Sequence, residues 1–262
     1  MRARFSTGAR GLIAAALAAA VAAGITASRA QDPGQQPDVD TALIVSVDVS
    51  NSVDEARYKL QMEGIAKALE DPEVLKAILS GPQGGILFSM VTWADKPKFS
   101  LPWQRISSAS DAAAVAAKVR SLPRQTGEFT CVSGMLRSIS DKVVPQIPAK
   151  ALRIVVDVSG DGSENCNPEE PPATVRDELA ATGVTINGLP ILEGDEGPML
   201  EAWYTQNVMG GPGAFILPAH GFGDFGRAIR QKFMIEISGE PAPKKQARLS
   251  FPSPLRGEDA AP

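Results

Sequence analysis

Histidine occurs once in this chain and cysteine twice. The lone histidine, His220, has no second histidine and no nucleophile placed by sequence to work with it, so it reads as a surface or capping residue. Aromatic residues are also scarce, at 5%. Trp93, Trp103 and Trp203 read as core and groove fillers rather than a recognition cage. No basic patch of the kind that neutralises phosphates is present, which argues against nucleic acid as a partner. No glycine-rich phosphate loop with its lysine is found either.

Long apolar runs are missing beyond the first thirty residues. That opening carries Arg2, Arg4 and Arg10, then an alanine-rich stretch from Leu12 to Ala27, then Ser28-Arg29-Ala30. A basic start, an apolar middle and small residues at the minus-three and minus-one positions predict a secretory signal peptide over residues 1–30, cleaved after Ala30. The run is shorter than the roughly 20 residues that span a bilayer. Export to the periplasm or beyond follows. Removing the four arginines of this segment leaves 22 basic residues against 30 acidic ones, a formal charge of −8. Cys131 and Cys166 then sit in an oxidising compartment, where one disulfide is the usual outcome. Their spacing alone does not decide between a bond and two thiols.

What is plentiful is valine, isoleucine, leucine and alanine in a repeating order. Thr41 to Val47 is an almost unbroken apolar run, as in a strand covered on both faces. Tyr58, Met62, Ile65 and Leu69 fall on one face of a helix, with Pro72 marking its end. A strand is predicted from Gly85 to Trp93, with Lys98 to Trp103 as a short edge strand. A helix follows from Asp111 to Arg120. Val132, Leu136, Ile139 and Val143 repeat the helical spacing and stop before Pro145. Further on come a strand from Leu152 to Val158, a helix from Thr174 to Thr182 ended by Gly183, and a strand from Val184 to Leu192. Then follow a helix from Pro198 to Val208, a short strand from Ala214 to Leu217, and a last helix from Phe222 to Ile235. The pattern predicts one doubly wound α/β domain over residues 40–239, its sheet mostly parallel with helices on both faces. Residues 31–39 read as a linker and 240–262, without apolar period, as a loose tail.

In such sheets ligands gather beyond the carboxyl ends of the strands, and three strand ends are chemically loaded. The first strand runs into Asp48-Val49-Ser50-Asn51-Ser52, whose carboxylate and two hydroxyls are hard donors suited to Mg²⁺ or Mn²⁺. Ser52 with Glu55 would also make a helix capping box. The strand ending at Val158 leads into Ser159-Gly160-Asp161-Gly162, which could equally be a plain Asp-Gly turn. Between them lies Thr126-Gly127-Glu128-Phe129-Thr130, where Thr130 could cap the next helix. Asp157, inside a strand, reads as a structural acid that must find hydrogen-bond partners. Glu164 and Asn165 could rim the site, but read rather as solvated loop residues.

Taken in order, these loops resemble the von Willebrand factor A domain. The metal-ion-dependent adhesion site of that family uses an Asp-x-Ser-x-Ser loop, a threonine from a second loop and an aspartate from a third. Asp48, Ser50 and Ser52 match the first, Thr130 the second and Asp161 the third. The family more often has threonine before that aspartate, where Gly160 stands here. The stretch Val155 to Gly162 also resembles a bacterial exported branch of the superfamily with no assigned function. The resemblance implies a Mg²⁺ or Mn²⁺ ion held by these five residues. One coordination position would stay open for a carboxylate of an envelope or extracellular protein. It implies a binding module and not an enzyme.

The alternative is a metal-dependent, phosphatase-like hydrolase using the same loops. Such enzymes usually offer a second acid two residues after the first, and here that residue is Ser50. A two-lobed solute-binding protein would need more residues. In the implied fold the second and third loops converge, so Cys131, next to Thr130, and Cys166, five residues beyond Asp161, are expected to form a disulfide.

Overall fold

In a computed structural model, residues 39–239 are described. The signal peptide, the tail and all of the linker except Val39 lie outside them. Val39 opens the first strand. The described residues form a five-stranded sheet of β1 (Val39–Asp48), β2 (Ile86–Trp93), β3 (Lys98–Ile106), β4 (Ala151–Gly160) and β5 (Thr185–Pro190), in the order β3-β2-β1-β4-β5. β1 is central and pairs in parallel with both β2 and β4, and β4 pairs in parallel with β5. Only the edge strand β3 runs antiparallel, and Pro102 is tolerated there because an edge strand need not donate every amide.

Seven α-helices among the described residues cover the sheet: α1 (Glu55–Glu70), α2 (Pro72–Ser80), α3 (Ala109–Arg120), α4 (Val132–Ser138), α5 (Pro172–Ala181), α6 (Gly197–Asn207) and α7 (Phe225–Ser238). Alternation along β1 divides the core in two. Leu43, Val45 and Val47 pack with Tyr58, Met62 and Ile65 of α1 and with Phe225, Ile229 and Phe233 of α7. Ile44 points the other way, into a cluster with Leu136 of α4, Leu179 of α5 and Tyr204 of α6. Burial on both faces is why β1 is apolar nearly throughout. No helix among the described residues is long and apolar enough to cross a membrane.

α1 ends at Glu70, as Pro72 predicts, and the same proline occupies the first turn of α2, where its missing N–H costs nothing. Asp71 caps that helix by accepting from Glu73 N at 3.0 Å and Val74 N at 3.3 Å. The third expected helix does not stop before Pro145. It widens into a π-turn over Ile139–Val143 and tightens into a 3₁₀ turn over Val144–Gln146, since Pro145 cannot donate to the ladder. Ala214 to Leu217 forms no strand. Gly188 N donates to Phe215 O and Leu217 N to Gly188 O, leaving isolated bridges along β5.

Candidate metal centre

β1 delivers Asp48 to the carboxyl edge of the sheet, fully buried. Its Oδ1 accepts Ser50 N at 2.7 Å, which bends the chain out of the strand. Its Oδ2 has no hydrogen-bond donor among the described residues. Burial pushes the Asp48 carboxyl up to about 7, against the opposing pull of the Ser50 hydrogen bonds. Orphaning a buried carboxylate oxygen is costly. A cation is one way to satisfy it.

The hydroxyls that sequence allowed as caps are not used as caps. α1 is capped by Asp54, which accepts from Arg57 N, and not by Ser52. α4 begins after Cys131 with no side-chain cap, so Thr130 is free of that duty too. Instead the side chains meet. Ser50 Oγ lies 3.3 Å from Ser52 Oγ, and Thr130 Oγ1 donates to Ser50 Oγ at 3.5 Å. Ser52 Oγ donates to Asp161 Oδ1 at 2.7 Å. Partial burial raises the Asp161 carboxyl above its ordinary value, with the Ser52 hydrogen bond pulling the other way. Two carboxylates and three hydroxyls from three loops are thus neighbours. An all-oxygen set of this kind fits a hard divalent cation. Among the described residues no group of three or more acidic, histidine or cysteine side chains could hold a metal. The hydroxyls would therefore have to complete the set.

The second and third loops are tied by residues whose sequence setting does not mark them. Asn165 Oδ1 accepts Thr130 N at 2.8 Å, and Asn165 N donates to Thr130 O at 3.2 Å. Glu164 Oε2 accepts Ser133 N at 2.8 Å, and its Oε1 accepts the amides of Cys166 and Asn167. Both side chains brace the loops, Glu164 half-buried and Asn165 exposed at the cleft. A Cys131–Cys166 disulfide, with Cα atoms 5.0 Å apart, joins the same two loops. Asp95, just past β2, accepts the amides of Glu128 and Phe129. Gly127 permits that approach, because a Cβ there would stand 2.5 Å from Ala94 Cβ.

Ser50, Ser52, Thr130 and Asp161 line a cleft of about 450 Å³. Its walls carry Glu128, Glu193, Asp195 and Glu196, with Arg57 as the one basic residue among the described lining. Arg57 pairs with Glu193 at 2.7 Å and donates to Ser52 O, fixing the first loop from outside. Glu196 accepts both the amide and the hydroxyl of Ser163. His220 lies exposed and apart, its amide donating to Asp224.

Residues 38–241 match the family model described as a protein of unknown function, DUF1194. A search of curated proteins finds no match. Among solved structures, proximal thread matrix protein 1 from the mussel byssus, described with a zinc-occupied MIDAS motif, is similar at a TM-score of 0.57 and 17% identity. The match covers 78% of this chain and 49% of that one. The pilus adhesin SpaC of Lactobacillus rhamnosus GG is similar at 0.55 and 13%, over 79% of this chain and 32% of that one. A von Willebrand factor type A protein from Catenulispora acidiphila is similar at 0.52 and 14%, over 76% and 43%. The chain thus spans about half the mussel protein and less of the other two. It belongs to the DUF1194 family, and its fold is that of the von Willebrand factor A domain.

Proposed function

We propose that this protein is an exported binding module that grips a protein partner through a divalent metal, Mg²⁺ or Mn²⁺, held by Asp48, Ser50, Ser52, Thr130 and Asp161. The observation that carries this reading is the meeting of three loops. Four oxygen-bearing side chains line one cleft, and beneath them a fully buried carboxylate has an oxygen without a donor. The zinc-occupied motif of the mussel protein supports a divalent ion on this fold. Three of the five ligands are neutral hydroxyls, so the ion stays a stronger Lewis acid than in an all-carboxylate site and favours an acidic group from the partner.

The walls refine the partner. Glu128, Glu193, Asp195 and Glu196 outnumber Arg57 around the cleft, so the partner's acidic group is flanked by basic side chains. A hydrolase reading gains nothing from the geometry, since the position two residues after Asp48 carries the Ser50 hydroxyl. Export with cleavage after Ala30, and a domain bounded near residues 40 and 239, belong to the same proposal.

Capture from envelope extract tests it. The mature chain, in Mg²⁺, is expected to retain a partner that is released by chelator and not retained by Thr130→Ala, while circular dichroism shows the variant folded. A partner held equally well in chelator would place recognition on another face.

A further inference from the structure

Tyr204, on α6, is fully buried, and its hydroxyl has no hydrogen-bond partner among the described residues. Asp48 Oδ2 is the nearby acceptor that also has none. The two atoms flank one point in space. A Cβ built on Gly160 would stand 2.7 Å from the Tyr204 hydroxyl and 2.9 Å from Asp48 Oδ2. A second glycine makes room for the ring itself, since a Cβ on Gly188 would stand 2.8 Å from Tyr204 Cδ1. Gly160 and Gly188 lie on the adjacent strands β4 and β5, hydrogen-bonded neighbours of the sheet. Glycine inside a strand weakens it and commonly marks a close approach. Here two such positions seat one tyrosine across the sheet, its hydroxyl toward the end of β1.

We infer that Tyr204 is a positioning residue for the metal centre, its hydroxyl donating to Asp48 Oδ2, directly or through one water, and so orienting the carboxylate toward the cation. This inference rests on the metal-binding reading. Oδ1 is already held by the Ser50 amide, so a donor on Oδ2 fixes the second end of the carboxylate and with it the plane of the group. Tyr204 touches neither cation nor partner. It acts through Asp48, from the core side, while Ser50, Ser52 and Thr130 face the cleft. Groups that orient a metal ligand typically matter by 10–100-fold in metal affinity.

Calorimetric titration of Mg²⁺ and Mn²⁺ into the mature chain, with melting in chelator as a second readout, tests the assignment. Tyr204→Phe is expected to weaken metal binding about 10-fold. In chelator it should melt no lower than Tyr58→Phe does, since each change removes one buried hydroxyl and at most one hydrogen bond. Tyr58→Phe is the matched control. It loses a 2.9 Å hydrogen bond to Leu122 O away from the site, so it should melt lower and bind metal as wild type does. Gly160→Ala keeps the tyrosine and inserts a methyl between the two oxygens; it should weaken the metal as well, and adding Tyr204→Phe should recover stability. Wild-type affinity in Tyr204→Phe, or an equal loss in Tyr58→Phe, would overturn the role of Tyr204 alone. A wild-type chain that takes up neither ion would overturn the metal-binding reading with it.

Discussion

Lys232 is wholly buried on α7, with Asp157 Oδ1 at 3.4 Å and Glu236 Oε1 at 3.0 Å. The Phe215 ring lies against its ammonium, and Asn187 donates to Glu236 at 2.8 Å. Two acids share one base, and Glu236 has the closer contacts. Burial, reinforced by Glu236 and only partly opposed by Lys232, raises the Asp157 carboxyl well above its ordinary value. A raised carboxyl pKa means that the native state holds a proton which the unfolded chain releases above about pH 4. Stability is therefore lost as pH rises from there toward the native value. Asp157→Asn has no such proton to hold. As pH rises above about 5 its stability should gain on wild type by up to about 1.4 kcal/mol per pH unit, read from urea unfolding. A gap that does not change with pH would remove Asp157 from that role. At this scale the ligand candidates were legible, because Asp48, Ser50, Ser52, Thr130 and Asp161 sit at strand ends in a recognisable order. Glu164, Asn165, Asp95 and Tyr204 were not. Their partners are backbone amides and a carboxylate brought near only by tertiary folding, and no spacing in the sequence announces that.

The loops that carry these side chains are braced at two levels. The Cys131–Cys166 disulfide joins positions 35 residues apart in sequence and ties the loop of Thr130 to that of Asp161. On the chain-entropy model such a closure contributes roughly 3–4 kcal/mol. Replacing both cysteines with serine should lower stability by an amount of that order in urea unfolding, and mass spectrometry of the unreduced chain should find no free thiol in wild type. A second brace is Asp95 on the amides of Glu128 and Phe129, which requires Gly127. Gly127→Ala should push the loop off Ala94 and weaken metal binding while the disulfide stays intact, read by titration with Mn²⁺. Strands were the most legible elements, since burial on both faces leaves an apolar run that needs no further context. Helix ends were less so. Pro72 terminates one helix and opens another with Asp71 as its cap, and a proline alone carries both meanings. The bridges at Gly188 show the same limit: two hydrogen bonds beside β5 are too few to impose an alternating pattern on residues 214–217.

The domain of residues 39–239 presents one edge of its sheet as a charged cleft. Among the described lining residues are five carboxylates, those of Glu128, Asp161, Glu193, Asp195 and Glu196, against Arg57. A divalent ion would offset only part of that charge. Phe129, beside Glu128, stands exposed next to the cleft's Thr130. A partner with an acid set among bases would then be drawn in by the rim and held by the metal. Raising the ionic strength should weaken its capture even at saturating Mg²⁺, because rim charges are screened more than buried ones. All of this depends on the ion. The most direct measurement is the melting temperature of the mature chain with and without Mg²⁺ or Mn²⁺, for wild type, Asp48→Ala and Asp161→Ala. Wild type should gain the equivalent of about 2.7 kcal/mol at metal concentrations near 100 times its dissociation constant, and both variants should lose most of that gain. Equal stabilisation of all three chains, or none in wild type, would contradict the assigned site.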